Sequence, residues 1–233
     1  MTIANANILV VGGSSGIGFG VARAALDAGA TVTIASRSED RLQRAAKSLG
    51  CGYAVLDTGD TDALETFFGD TAFDHIFCSA AKTSVAPVRE LPLEDAYANF
   101  QSKFWGAYRL ARAANIRDGG SLTLISGYLS VRPKPGAAIQ SAINAGLEGL
   151  ARGLALELAP IRVNCISPGL IKTEMLDESK GDSRQAMFDG AAETLPVGRV
   201  GTPENIATQA LALMMNPYMS GATIFVDGGG AIA

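Results

Sequence analysis

The chain has 233 residues, 48% of them hydrophobic and 18% charged, with a net charge of -4. That length suits one α/β domain with a large core, and the mild acidity offers nothing to nucleic acid or to an anionic membrane surface. No apolar run approaches the ~18 residues that span a bilayer, and no secretory leader is expected, because "NILVVGG" already reads as a strand entering a glycine turn.

The first predicted strand, Ile8–Val11, runs into "GGSSGIG" and then a helix over Ile17–Ala28. Gly12 allows the tight turn, Gly16 lets backbone approach a pyrophosphate, and Gly18 permits close helix–strand packing. The free N–H groups at the helix start suit phosphate, and the Ser14 and Ser15 hydroxyls add donors. Gly12, Ser14, Ser15, Gly16, Ile17 and Gly18 are therefore expected to form a dinucleotide turn, against the alternative of a structural glycine loop. The second strand, Thr31–Ala35, ends in Ser36 and Arg37, where an NAD site would carry an acidic residue. A hydroxyl beside a guanidinium fork suits a 2′-phosphate, so NADP(H) is expected ahead of NAD(H). The alternative is a solvated surface arginine.

A helix over Glu39–Leu49 and a third strand, Gly52–Leu56, lead to Asp57. That carboxylate either caps the next helix, Asp62–Phe68, or accepts from an adenine amino group. The single histidine, His75, opens the fourth strand (to Ser79) with no carboxylate or cysteine cluster beside it, and reads as structural. Cys51, Cys78 and Cys165 lack metal-ligand spacing and read as buried thiols of a reducing cytoplasm.

A long helix is predicted over Leu93–Ile116, then a strand at Ser121–Ile125, a helix over Ala137–Leu158 and a strand at Arg162–Ile166. An irregular stretch, Leu170–Gly201, precedes a helix at Pro203–Met215 and a last strand at Thr223–Val226. Runs such as "ILVV" and "LTLI" suit strands buried on both faces. Steady alternation of strand and helix means parallel pairing, hence one doubly wound α/β domain over residues 1–233. The irregular stretch mixes Met175, Leu176, Met187 and Phe188 with charges, and is expected to be a mobile flap over a partly apolar small molecule.

"GGSSGIG", "LDTGD", "RVNCISPGLIKTEM", "PVGRVGTPENIA" and "SGATIFVDGGG" together resemble the short-chain dehydrogenases/reductases, over essentially the whole chain. The resemblance implies a Rossmann sheet ordered 3-2-1-4-5-6-7. It also implies that Ser79, Ala80 and Ala81 pass the adenosine ribose, while Pro168, Gly169, Ile171 and Thr173 line the nicotinamide end and the pyrophosphate. A homodimer or homotetramer through the long helices flanking strand five is expected on the same ground.

The chemical positions depart from that family. Its members reduce carbonyls with an asparagine, a serine, a tyrosine and a lysine. Aligning "NAGLEGL" with the lysine-bearing helix puts Asn144 at the lysine and Gln140 at the tyrosine. Gly127 falls at the serine and, with Gly106 setting the register of "KFWGAY", Lys103 falls at the asparagine. Gln140 and Asn144 still share one helical face, but amides do not exchange a proton near neutral pH. General-acid help of about 10²–10⁴-fold is then missing. Asn144 is expected to hold ribose hydroxyls. Replacement donors are Tyr128, Ser126, Ser130, Lys134 and Lys103, with a Tyr128–Lys103 pair as the sharpest hypothesis against simple packing and a salt bridge. Three readings follow. The first is an NADP-dependent oxidoreductase with an atypical site, acting for example on an iminium. The others are an inactive cofactor sensor or partner subunit, and non-redox chemistry on the same fold.

Overall fold

Along Asn7–Val11 (β1) the side chains alternate between two buried surfaces. Leu9 and Val11 enter one hydrophobic cluster, Ile8 and Val10 the other. The first cluster continues through Leu64 and Phe68 of α3 (Thr61–Gly69), Leu110 of α5 (Gly106–Ala113) and Ile143 of α6 (Ala138–Glu157). The second takes Val21 of α1 (Gly16–Asp27), Leu42 of α2 (Glu39–Leu49) and Ile206 of α8 (Pro203–Met215). A strand apolar on both sides thus requires helices on both sides. The computed structural model, which describes residues 2–69, 71–173 and 183–233, shows that arrangement.

β1 is joined by β2 (Thr31–Ser36), β3 (Gly52–Val55), β4 (Phe73–Cys78), β5 (Ile116–Ile125), β6 (Arg162–Pro168) and β7 (Thr223–Val226). The seven strands form one parallel sheet in the order β3-β2-β1-β4-β5-β6-β7, as expected. The chain leaves β1 towards one sheet edge and later returns to β4 on its other side. That reversal opens a crevice at the carboxyl ends of β1 and β4, where open α/β sheets take ligands.

Three expectations need correction. The helix predicted over Leu93–Ile116 is α4 (Leu93–Phe100), a π turn (Gln101–Trp105) and α5, which stops at Ala113. Ile116 belongs to β5 and pairs with Phe73, while Ser121 pairs with His75, so residues 117–120 bulge out of the ladder. Pairing with β4 outweighs helical periodicity there. The stretch Leu170–Gly201 is not wholly irregular, because Ser183–Thr194 forms α7, with Phe188 buried. Its ends are joined by a parallel bridge between Ile171 and Gly201. Met175 and Leu176 lie outside the described residues, as does any mobility of that segment. Finally, of the two roles left open for Asp57, the cap of α3 goes to Asp60, which accepts from Ala63 N at 3.0 Å. Asp57 makes a local turn, accepting from Gly59 N at 2.8 Å.

Two polar residues inside the sheet, His75 and Arg162, have hydrogen-bond partners for their side chains. His75 Nδ1 meets Ser121 Oγ at 2.9 Å, and burial holds the imidazole down to about 4, which suits a structural residue. Arg162 donates to Leu213 O (2.7 Å), Met214 O (2.9 Å) and Met219 O (3.3 Å), closing the carboxyl end of α8. Arg162→Met leaves those carbonyls without their charged donor. A loss of about 2–4 kcal/mol is expected, read as a drop in Tm of roughly 5–15 °C in thermal melts. A shift under ~2 °C would mean the cap is dispensable.

Candidate functional site

The residues singled out from the sequence converge at the carboxyl edge of the sheet. Gly12 lies against the exit of β4, where a Cβ would stand 2.7 Å from Ala80 N and 2.8 Å from Ser79 Oγ. Ser79 N donates to Val11 O at 2.9 Å, so the two strand ends move as one. At Gly18 a Cβ would collide with the Gly12 carbonyl, which is the close helix–strand approach the motif demands. Ser15 is the N-cap of α1 in extended conformation and makes no side-chain cap bond. The first amides of α1 are therefore not used by a cap, as a phosphate-binding turn requires. Thr173 covers Gly16, its Cγ2 standing 3.3 Å from where a Cβ would be. Gly169 packs on the Asp227 backbone, and Ile171 is buried beside it.

The β2 exit adds polar groups that a nucleotide could use. Ser36 Oγ is buried without a hydrogen-bond partner, an arrangement that native structures rarely leave unexplained. Next to it, Arg37 is exposed and lines an open cavity of about 310 Å³. These groups, with the α1 turn, would hold a nicotinamide dinucleotide.

The interior beyond the β5 exit is built around Lys103. The π turn Gln101–Trp105 inserts an extra residue between α4 and α5 and carries this lysine into the interior, where it is 9% exposed. Its Nζ donates to Ser126 O at 2.8 Å and to Asn144 Oδ1 at 2.7 Å. Burial pulls the ammonium down to about 8, against the opposing pull of Cys165, Cys78 and Glu148. Gly106, one residue past the π turn, has no room for a side chain because Thr58 Oγ1 would be 2.7 Å away. On α6, Asn144 is buried, and its Nδ2 would stand 2.8 Å from a Cβ on Gly127. Gln140 sits one turn earlier on the same face, its Oε1 buried and without a partner.

Tyr128 is not brought to Lys103. It lies in the short 3₁₀ turn Tyr128–Ser130, with its ring 3.5 Å from where a Cβ on Gly230 would be. The lysine's recorded acceptors are Ser126 and Asn144, so the hypothesised Tyr128–Lys103 pair is not formed in this structure. Lys134 is exposed. Burial pushes the thiols of Cys78 and Cys165 up to about 11, so both stay protonated and inert.

Glu148 was missed from the sequence. It is 8% exposed, and its Oε1 accepts from Ser130 Oγ (2.6 Å), Ser126 Oγ (2.9 Å) and Ser167 Oγ (3.3 Å). One carboxylate oxygen thus gathers the exits of β5 and β6 and the turn between β5 and α6. Its four-residue spacing from Asn144 was the available signal, continuing the line from Gln140 down one helical face.

Residues 11–230 match the protein family described as enoyl-(acyl carrier protein) reductase. The short-chain dehydrogenase/reductase ucsE of Acremonium sp is 34% identical over 252 residues, covering 97% of this chain and 95% of the relative. A crystal structure of a small-chain dehydrogenase in complex with NADPH is 34% identical, with a TM-score of 0.86, over 98% of this chain and 100% of the other. An NADPH-bound short-chain oxidoreductase from Pseudomonas aeruginosa, described as containing an atypical catalytic center, has a TM-score of 0.91 at 26% identity, covering 100% and 99% of the two chains.

Lys103 makes a prediction about pH. Its ammonium is held at about 8 in the folded protein against ~10.4 unfolded. Below pH 8 both states carry the proton and the cost of burying it is fully present. Between pH 8 and ~10.4 the folded state has lost a proton that the unfolded state keeps, so stability rises with pH. In denaturant titrations the wild type should gain about 3 kcal/mol relative to Lys103→Met across that window. Parallel curves would mean that the lysine titrates as if in water.

Proposed function

The chain belongs to the short-chain dehydrogenase/reductase family of oxidoreductases, and from that premise we propose that it binds NADP(H) and reduces a small molecule at a site whose proton chemistry rests on Lys103. The observation that carries this reading is the 2.7 Å bond between Lys103 Nζ and Asn144 Oδ1. Relative to the family's pattern, lysine and asparagine have exchanged helices and still touch. The ammonium, held at about 8, is mostly protonated at neutral pH and sits in the range useful to a general acid. Asn144 keeps its amide N–H groups for ribose hydroxyls, and Gln140 Oε1 is left to accept from a substrate N–H or O–H group. The dinucleotide, when bound, supplies the hydride.

NADP(H) is favoured over NAD(H) by Ser36 and Arg37 in place of an acidic residue, and the two NADPH-bound relatives support the same preference. Three free cysteines favour a reducing, cytoplasmic location. Among the described residues no helix is long and apolar enough to cross a membrane. A second reading, a cofactor sensor or partner subunit without turnover, is favoured by the two amides, which exchange no proton.

We also propose a homodimer or homotetramer through α4–α5 and α6. Phe100, Phe104, Trp105 and Tyr108 form a ladder of ring contacts at 6.1, 5.5 and 5.7 Å, and Tyr97, Trp105 and Tyr108 are exposed. Leu156 of α6 is 83% exposed. Aromatic area of this kind is enriched where subunits meet.

Two measurements test these readings. NADPH consumption should be scanned over carbonyl and imine acceptors, with Lys103→Met lowering kcat by about 10²–10⁴-fold and leaving NADPH affinity within a few-fold. Turnover that survives the substitution sinks the role of Lys103, while tight NADPH binding with no acceptor consumed favours the sensor. By light scattering, the mass should be two or four times 24.0 kDa, and Trp105→Glu should shift it towards the monomer. A monomeric wild type would refute the assembly.

A further inference from the structure

We propose that Lys82 is a second 2′-phosphate contact, so that selection of NADP(H) rests on two cations from different elements rather than on Arg37 alone. The inference rests on the nucleotide reading above. The sheet order places the carboxyl ends of β2 and β4 on either side of β1. Arg37, leaving β2, and Lys82, leaving β4, therefore open onto the same cavity of about 310 Å³.

Charge decides what Arg37 can do by itself. Asp95 of α4 lines the same cavity, so Arg37 alone would face a carboxylate and leave the rim neutral. Lys82 tips the rim to a net positive charge, which a phosphate dianion requires and a ribose hydroxyl does not. Neither cation is engaged with Asp95: among the described residues the ion pair present is Arg117 with Asp74. The buried, unpartnered Ser36 Oγ adjoins Arg37 in sequence and supplies a hydroxyl with nothing of the protein to bond.

The backbone that carries Lys82 is held. Lys82 N donates to Ser102 Oγ at 2.8 Å, and Ser84 N donates to Asn99 Oδ1 at 2.9 Å. Asn99, 3% exposed, returns a bond from Nδ2 to Ser84 O at 2.9 Å. The loop is thus pinned to the helix on both sides of Thr83, while the Lys82 side chain remains exposed. Its attachment is pre-organised, and a phosphate contact there would order only the side chain.

Dissociation constants for NADPH and for NADH, read from nicotinamide fluorescence, test this on the full-length protein and three variants. Lys82→Gln is expected to weaken NADPH by about fivefold to tenfold and to leave NADH within about twofold, while Lys82→Arg retains the preference. Arg37→Gln should lower the same NADPH-to-NADH ratio. If Lys82→Gln changes both nucleotides by one common factor, or neither, Lys82 does not read the phosphate. The nucleotide reading survives that result as long as the wild type prefers NADPH. A wild type that binds neither nucleotide overturns the cofactor assignment and this inference together, and one that binds both equally overturns the selectivity.

Discussion

A buried ammonium has to find acceptors, and the surroundings of Lys103 are organised by that requirement. Transferring an unpaired charge into a protein interior costs far more than a hydrogen bond returns, so the group needs both ligands and a nearby opposite charge. Ser126 O and Asn144 Oδ1 supply the ligands, and Glu148 lies close enough to pull the ammonium towards its charged form. Glu148 has the same problem with the opposite sign, and three serine hydroxyls answer it. Ser126 belongs to both groups, taking the lysine on its carbonyl and giving its hydroxyl to the carboxylate. Partners come from the π turn, the exits of β5 and β6, and two turns of α6. Lysine and carboxylate are therefore linked through polar groups rather than by contact, and together they join the π turn, the exits of β5 and β6, and α6.

The other end of the crevice depends on absence of side chains. Gly12 and Gly18 bring β1, β4 and α1 closer than any Cβ would allow. The first amides of α1 are left without a side-chain cap there, and residues after β2 and β4 line a common cavity. Steric economy at one end and charge compensation at the other make a cleft with distinct halves. One offers uncapped helix amides and exposed cations, the other a buried ammonium.

The sheet was legible because its signals are local. Apolar runs, glycines at strand exits and the Ser36–Arg37 pair each carry meaning within a few residues. Tertiary choices were not. The π turn at Gln101–Trp105 has the same helical periodicity as its neighbours, and only the burial of Lys103 distinguishes it. Ile116 prolongs the helical pattern of α5, yet pairing with Phe73 takes it into β5. Glu148 reads as an ordinary charge on a long helix, because its partners lie 18, 19 and 22 residues away. The Tyr128–Lys103 pair was conceivable from proximity to one strand end, but adjacent residues leave a strand in different directions, and the lysine went to Ser126 O and Asn144 instead.

The residues at positions 103, 127, 140 and 144 are physically linked. Asn144 is short, so it cannot reach as far as a lysine at that position would. It points its Oδ1 to the ammonium arriving from the neighbouring helix, with Nδ2 lying where a side chain on residue 127 would stand. A serine at 127 would meet that amide, and glycine relieves the contact. With no lysine on α6 to lower the pKa of a phenol one turn away, a tyrosine at 140 would hold its proton near pH 10 and give it up poorly. Glutamine retains hydrogen bonding there without that liability. A charge at position 103 thus makes Asn144, Gly127 and Gln140 mutually consistent. Residues coupled in this way do not act additively. Changing any one of them alone would place the new side chain against partners shaped for the present one.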